Sequence, residues 1–218
     1  MVKWMVYKSI FSTFVQNINL GQMTESERKQ IIALIQREVI PAIGCTEPIA
    51  VALCVAKATE TLGAKPEKIK VLLSANILKN AMGVGIPGTG MIGLPIAVAL
   101  GALIGKSDYQ LEVLKDSTPE AVEEGKKLID EKRICISLKE DITEKLYIEV
   151  TCEAGGEQAT AIISGGHTTF VYVAKGDEVL LNKQQTSGEE EEEETLELTL
   201  RKVYDFALTA PLDEIRFI

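Results

Sequence analysis

Helical spacing of apolar residues dominates the first half of the chain. It predicts helices over residues 24–37, 47–62, 91–104 and 119–131. Thr24 and Glu27 form a capping-box pattern at the start of the first helix. Thr46 is the expected N-cap of the second, with Pro48 in its first turn. That helix opens with IAVALCVA, which is apolar on every side and indicates a helix in the core.

Strand patterns follow later and are short. Residues 68–74 predict a first strand, and RICISL, LYIEVTCEA, QATAIISG and TFVYVAKG predict four more, with EVLLN as an edge strand. Turn sequences separate the later stretches, which predicts a meander of antiparallel strands. Residues 195–207 return to helical spacing. The expected class is α+β, with buried apolar helices, a small antiparallel sheet in an αβββ unit and a C-terminal helix.

These elements divide the chain into four predicted segments. They are a mainly helical part over residues 1–106, the αβββ unit over 107–185, an acidic linker over 186–194 and a helix over 195–218. The unbroken run Glu189–Glu194 is typical of a solvated linker. The last residues begin a further helix too short to be stable alone, so we expect the natural sequence to continue.

Composition and net charge narrow the range of expected binding partners. Hydrophobic residues make up 46% but aromatic residues only 5%, which predicts an aliphatic core. The net charge of -9 argues against nucleic acid and anionic membranes as partners. Residues 81–105 lack charge, but their first half is a glycine-rich loop, so we expect a buried helix and no membrane span. Four cysteines without a C-x-x-C pair, and no signal-peptide pattern, indicate a reduced cytoplasmic protein.

The sequence VIPAIGCTEPIAVAL carries the strongest chemical signal. Cys45 lies just before a predicted helix N-terminus, where free N–H groups and the helix dipole stabilise an anion. The pattern predicts that the thiol has a lowered pKa and acts as a nucleophile or base. The same helix N-terminus also stabilises the negative charge of Glu47. A buried structural cysteine beside a well-capped helix is the alternative. We expect Cys54, Cys135 and Cys152 to lie in the core.

A glycine-rich stretch adds candidate binding groups. Residues 83–88 match G-x-G-x-x-G literally, but the neighbouring elements do not fit a dinucleotide site. Its bare N–H groups predict a loop that faces an anion such as a carboxylate, with Asn80, Gly88 and Thr89 as contributors. A tight crossing of core segments is an equal alternative, because glycines also permit it.

The single histidine lies in the turn sequence SGGHTT. A solvated turn histidine is the simpler interpretation of His167. The two preceding glycines also allow His167 and Thr168 to face a ligand together. One histidine with scattered cysteines does not make a metal site, so we predict none in this chain.

Three motifs, PAIGCTEPIAVAL, KNAMGVGIPGTGMIGLPIAVALGAL and SGGHTTF, together resemble the L-cysteine desulfidase family, related to the alpha chain of iron–sulfur L-serine dehydratase. The match runs over about residues 38–182 and resumes in LDEIRFI. The resemblance implies a lyase with an oxygen-sensitive [4Fe-4S] cluster held by three cysteines. It also implies that Cys45 is the base at the substrate's alpha carbon.

The family's cluster cysteines lie in a C-terminal half that has no match here. The chain therefore resembles an N-terminal half, whether as a truncated form, a split-gene subunit or a degenerate homologue. We expect this chain alone to hold no cluster, because three thiolate ligands are needed. The C-terminal half or a second subunit is the expected partner.

The leading hypothesis is a lyase module that eliminates hydrogen sulfide from L-cysteine, or water from L-serine, to give pyruvate and ammonia. Cys45 is the predicted base. The predicted substrate-binding residues are Thr46, Glu47, Asn80, Gly88, Thr89, His167 and Thr168. We expect the isolated chain to be inactive. The alternative is a catalytically inactive amino-acid-binding or regulatory module; pyridoxal-phosphate chemistry would need a Schiff-base lysine that nothing in the sequence indicates. A monomer and a homo-oligomer both fit the sequence.

Overall fold

The computed structural model describes residues 23–183 and 197–218, and these residues fall into two compact units. The larger unit comprises residues 41–183, and the smaller one combines residues 23–40 with 197–218. The predicted α+β class is confirmed. The predicted acidic linker over residues 186–194 lies outside the described residues.

The smaller unit contains helices α1 (Glu25–Glu38) and α6 (Leu200–Thr209) and a 3-10 turn, Leu212–Glu214. The predicted capping box of α1 is confirmed, since Thr24 Oγ1 accepts from the Glu27 N–H at 3.1 Å and Glu27 Oε2 accepts from the Thr24 N–H at 3.0 Å. Arg28 of α1 donates to the Thr209 carbonyl oxygen at 3.2 Å. The last helix begins at Leu200, later than the predicted residue 195.

The helices of the larger unit are α2 (Thr46–Leu62), α3 (Ala75–Ala81), α4 (Leu94–Ile104) and α5 (Pro119–Asp130), with a 3-10 segment at Ser107–Glu112. Cys45, and not Thr46, is the N-cap of α2. The predicted third helix begins at Leu94 instead of residue 91, because Met91 and Ile92 pair with another strand. Pro95 then lies in the first turn of α4, where its missing N–H is tolerated.

The large sheet is mixed, with the order β4-β1-β5-β6-β7-β8. Its strands are β1 (Lys68–Leu73), β4 (Ile134–Leu138), β5 (Tyr147–Ala154), β6 (Glu157–Ser164), β7 (Phe170–Lys175) and β8 (Glu178–Asn182). The two short strands β2 (Gly85–Ile86) and β3 (Met91–Ile92) form a separate hairpin.

The prediction of a purely antiparallel meander is wrong at β4. β1 inserts between β4 and β5, so Ile69 lies opposite Ile134 in a parallel pair and opposite Cys152 in an antiparallel pair. The predicted boundary between residues 106 and 107 consequently separates β1 from the other strands of its own sheet. The two compact units of the structure divide at other positions.

The core forms where α2 packs against β5, β6 and α4. Its largest fully buried side chains are isoleucines, leucines and valines, which confirms the predicted aliphatic core. At the contact between the two helices, Gly101 lies directly against the backbone of Ala52. Within residues 23–183 and 197–218, none of the helices has the length and apolar character needed to span a membrane.

We predict that Gly101→Ala destabilises the protein by about 1–3 kcal/mol, because overpacking forces backbone shifts. A Cβ at this position would lie 2.6 Å from the Ala52 carbonyl oxygen and 3.1 Å from the Ala52 Cα, backbone atoms that cannot rotate away. Urea unfolding measures the difference. Gly83→Ala is the matched control, because a Cβ there meets nothing within 4 Å. Equal stability of the two variants would contradict the close helix contact.

Candidate functional site

The segment before α2 is shaped by a close contact with the glycine-rich loop. Gly44 has φ +94, and a Cβ there would lie 2.9 Å from Pro87 Cγ. Both facts require glycine at this position. Cys45 follows in extended backbone, and its side chain makes no capping hydrogen bond. The Cys45 thiol therefore lies at the start of α2, near the loop, but does not cap the helix.

Glu47 is the centre of the hydrogen-bond network at this point. Its Oε2 accepts from the Cys45 thiol at 3.0 Å and from the Thr46 hydroxyl at 3.3 Å. Its Oε1 accepts from Asn80 Nδ2 at 3.5 Å. Thr46 Oγ1 also lies 3.4 Å from His167 Nε2. The structure thus brings together predicted site residues from α2, from α3 and from the turn between β6 and β7.

Three other predicted site residues stay outside this network in the described structure. Thr89 donates to the Ile86 carbonyl oxygen at 2.7 Å and accepts from the Met91 N–H at 2.9 Å, so its hydroxyl stabilises the β2–β3 turn. Gly88 is exposed in the same turn, with φ +76. Thr168 is half-buried beside His167. In the glycine-rich loop, a Cβ at Gly83, Gly85 or Gly88 meets nothing within 4 Å, which argues against the tight-crossing interpretation there.

The expected lowering of the Cys45 pKa is wrong. Burial and the hydrogen bond to the Glu47 carboxylate raise the pKa of Cys45 above its ordinary value, and the charge of that carboxylate adds to the effect. The pKa of Glu47 is lowered, chiefly by the hydrogen bond from Cys45, and the nearby His167 also lowers it. The resting pair is therefore a neutral thiol and a charged carboxylate.

The other cysteines divide between the core and the surface. Cys54 and Cys152 are buried, and burial raises the pKa of Cys152 to about 11. Cys54 Sγ lies 3.3 Å from the Ala161 carbonyl oxygen, which accepts from the thiol. Cys135 is exposed on β4, so its predicted core position is wrong.

The four thiols do not fit a [4Fe-4S] cluster. Two are buried in the core, one lies on an exposed strand and one at the start of α2. Among the residues that the structure describes, no three His, Cys, Asp or Glu side chains are grouped to hold a metal ion. An iron–sulfur cluster needs three or four thiolates at one place.

The sequence matches curated proteins at high identity but over less than half of their length. A UPF0597 protein of Bacteroides thetaiotaomicron is 81% identical over 196 residues, which cover 90% of this chain and 46% of that relative. UPF0597 proteins of Phocaeicola vulgatus and Porphyromonas gingivalis are 76% and 48% identical, with 46% and 47% of their lengths covered. No family model and no solved structure matches the chain. The relatives' names state no activity, so the lyase assignment stays a prediction.

Two features of the larger unit were not predicted from the sequence. An apolar groove of about 700 Å³ lies beside the edge strand β4, lined by Leu78 and Met82 of α3 and by Ile136 of the strand, among others. On the sheet, Glu149 Oε2 accepts from Lys139 Nζ and from Tyr147 Oη, both at 2.7 Å. The sequence shows only alternating apolar residues in RICISL and LYIEV at these positions, and ordinary strands have the same pattern.

We predict that two thiols of the folded protein react with iodoacetamide and two do not. Exposed Cys135 should react first and half-buried Cys45 more slowly, because its raised pKa leaves little thiolate at neutral pH. Cys54 and Cys152 should react only after unfolding. Mass spectrometry of the alkylated peptides measures this order, and Cys135→Ser serves as the control. Alkylation of Cys54 or Cys152 in the folded protein would contradict the predicted burial.

Proposed function

We propose that this chain is a module of a lyase that eliminates hydrogen sulfide from L-cysteine, or water from L-serine, to give pyruvate and ammonia. The observation that carries the proposal is the network around Glu47, in which Cys45, Asn80 and His167 meet. These residues come from the three motifs on which the resemblance rests. The chain spans less than half of its relatives' length, so the activity is proposed for the longer protein.

The chemistry assigned to Cys45 is removal of the alpha proton. Its thiolate would take the proton from Cα, the released electron pair would form the Cα=Cβ bond, and the sulfur or oxygen on Cβ would leave. The resulting enamine then tautomerises and hydrolyses to pyruvate and ammonia. Because the folded protein holds Cys45 as a thiol, that thiol must lose its own proton before it can act as the base.

The remaining residues are assigned to substrate binding. The N–H groups at the start of α2 and the hydroxyl of Thr46 suit the substrate carboxylate. His167 and Asn80 flank the same point from two other elements. Gly88 and Thr89 are also assigned to substrate binding, because their loop contacts Gly44. Thr168 is assigned because it follows His167 in the chain.

The resemblance also implies a [4Fe-4S] cluster as a Lewis acid for the leaving group. The cysteines of this chain do not fit it, so the C-terminal half or a second subunit is proposed as its carrier. A cytoplasmic location belongs to the same proposal, and the free state of the four thiols supports it.

A second candidate is a module that binds an amino acid without chemistry. The raised pKa of Cys45 favours it, because a base that is protonated at neutral pH is a weak one. In that case the chain together with the proposed C-terminal half would bind L-serine and release no pyruvate.

The test is Cys45→Ala in the proposed complete protein, in which this chain is combined with the proposed C-terminal half, after anaerobic reconstitution with iron and sulfide. We expect pyruvate release from L-cysteine or L-serine to fall by a factor of about 10²–10⁴, the usual contribution of a general base. Cys135→Ser is the control and should keep full activity. Full activity of Cys45→Ala would overturn the base assignment, and binding without pyruvate in the unaltered protein would favour the second candidate.

A further inference from the structure

The two oxygens of the Glu47 carboxylate are used unequally. Oε2 accepts from Cys45 at 3.0 Å and from Thr46 at 3.3 Å, whereas Oε1 accepts a single long hydrogen bond, at 3.5 Å, from Asn80. A carboxylate offers about four acceptor positions, so Oε1 has room for a strong donor. Asn80 is exposed and Glu47 is only half-buried, so this end of the network lies near the protein surface.

Within the part of the chain that the structure describes, none of the ion pairs formed by lysine or arginine involves Glu47. The groups that face it are Cys45 and Thr46 of its own helix end, neutral Asn80 of α3 and His167 of the β6–β7 turn. Of the groups named here, His167 is the one whose electrostatic interaction lowers the pKa of Glu47. The site is thus an anionic one that favours a cationic ligand group.

We propose that Glu47 is a positioning residue that keeps Cys45 as a thiol until the ammonium group of an amino acid binds to Glu47 and allows the thiolate to form. This inference rests on the proposed function, in which the ligand is an amino acid and Cys45 is the base. An ammonium group carries three N–H donors, which suit the underused Oε1.

The coupling follows from the charge of the carboxylate. In the free protein, burial raises the pKa of Cys45, and Glu47 raises it further by accepting its hydrogen bond and by its negative charge. A bound ammonium group neutralises that charge and competes for the same oxygens. The free energy needed to form the Cys45 thiolate beside Glu47 therefore falls. The proton of Cys45 passes to solvent water, and no other bond changes. Transfer to Glu47 itself is unfavourable, because the pKa of Glu47 is lowered.

The first experiment follows the thiolate absorbance of Cys45 against pH in the chain itself. A Cys135→Ser background removes the exposed thiol, and subtraction of the Cys135→Ser, Cys45→Ala titration isolates Cys45 from the buried thiols and tyrosines. We expect Glu47→Gln to lower the midpoint by about one pH unit, since one neighbouring charge is lost. Glu47→Asp keeps the charge and should retain most of the elevation.

Glu123→Gln, on the exposed face of α5, is the matched control and should leave the midpoint unchanged. Circular dichroism establishes that each variant is folded, and Glu47→Asp supplies the comparison if Glu47→Gln does not fold. An unchanged midpoint in folded Glu47→Gln, or a Glu47→Asp midpoint lowered by about one pH unit, overturns the proposal.

The second experiment tests the ammonium group. L-serine is compared with L-glycerate, which carries a hydroxyl in place of the ammonium and keeps the carboxylate. We expect saturating L-serine to lower the Cys45 midpoint in the Cys135→Ser chain, by about as much as Glu47→Gln does, and to have no effect in Glu47→Gln. An equal shift with L-glycerate, or no shift with L-serine, overturns the role of the ammonium group.

These outcomes are separable from those of the proposed function. If Cys45→Ala stays active in the complete protein while both midpoint shifts occur, Cys45 is not the base but Glu47 still controls its protonation. If Cys45→Ala is inactive and the shifts are absent, the base assignment stands and the control by Glu47 is wrong.

Discussion

The burial of α2 is the constraint on which the rest of the larger unit depends. Every residue from Ile49 to Ala56 is shielded from solvent, and each large aliphatic side chain there contributes about 1.5–3 kcal/mol. A helix that is apolar on all sides needs partners on all sides. The strands β5 and β6 cover one side, and α4 covers another at the close contact between Gly101 and Ala52.

Because the interior of α2 is apolar, its polar chemistry is confined to its two ends. Near the C-terminal end, Glu60 accepts from the Ser107 N–H and hydroxyl and so fixes the 3-10 segment. At the N-terminal end, Glu47 accepts from a thiol and a hydroxyl instead. The Glu60 carboxylate accepts hydrogen bonds from Ser107, which hold the fold in place. The Glu47 carboxylate accepts a hydrogen bond from the Cys45 thiol, which is a reactive group. This difference explains why the start of α2 is the better candidate for chemistry.

The sequence predicted those parts of the fold that local rules determine. The capping box at Thr24, the end of α2 at Leu62 and the alternation of β5 and β6 each depend on a few neighbouring residues. The parallel pairing of β1 with β4 does not, because it joins residues more than 60 positions apart and no local pattern distinguishes it from a hairpin. The exposure of Cys135 follows from that pairing, since β4 is an edge strand.

Sequence reasoning named the residues that the network around Glu47 brings together, but it did not give their electrostatics, and Gly88, Thr89 and Thr168 lie outside that network in the described structure. The position of Cys45 before a helix indicated anion stabilisation, yet a helix end supplies only about 0.3–1 kcal/mol, less than one pKa unit. Burial of the thiol and a charged carboxylate at hydrogen-bond distance act in the opposite direction and outweigh it. Which way the Glu47 side chain turns is set by its contacts with Cys45, Thr46 and Asn80, and one of these lies 33 positions away. A helix end beside a half-buried thiol therefore makes a base only when another group offsets the nearest negative charge.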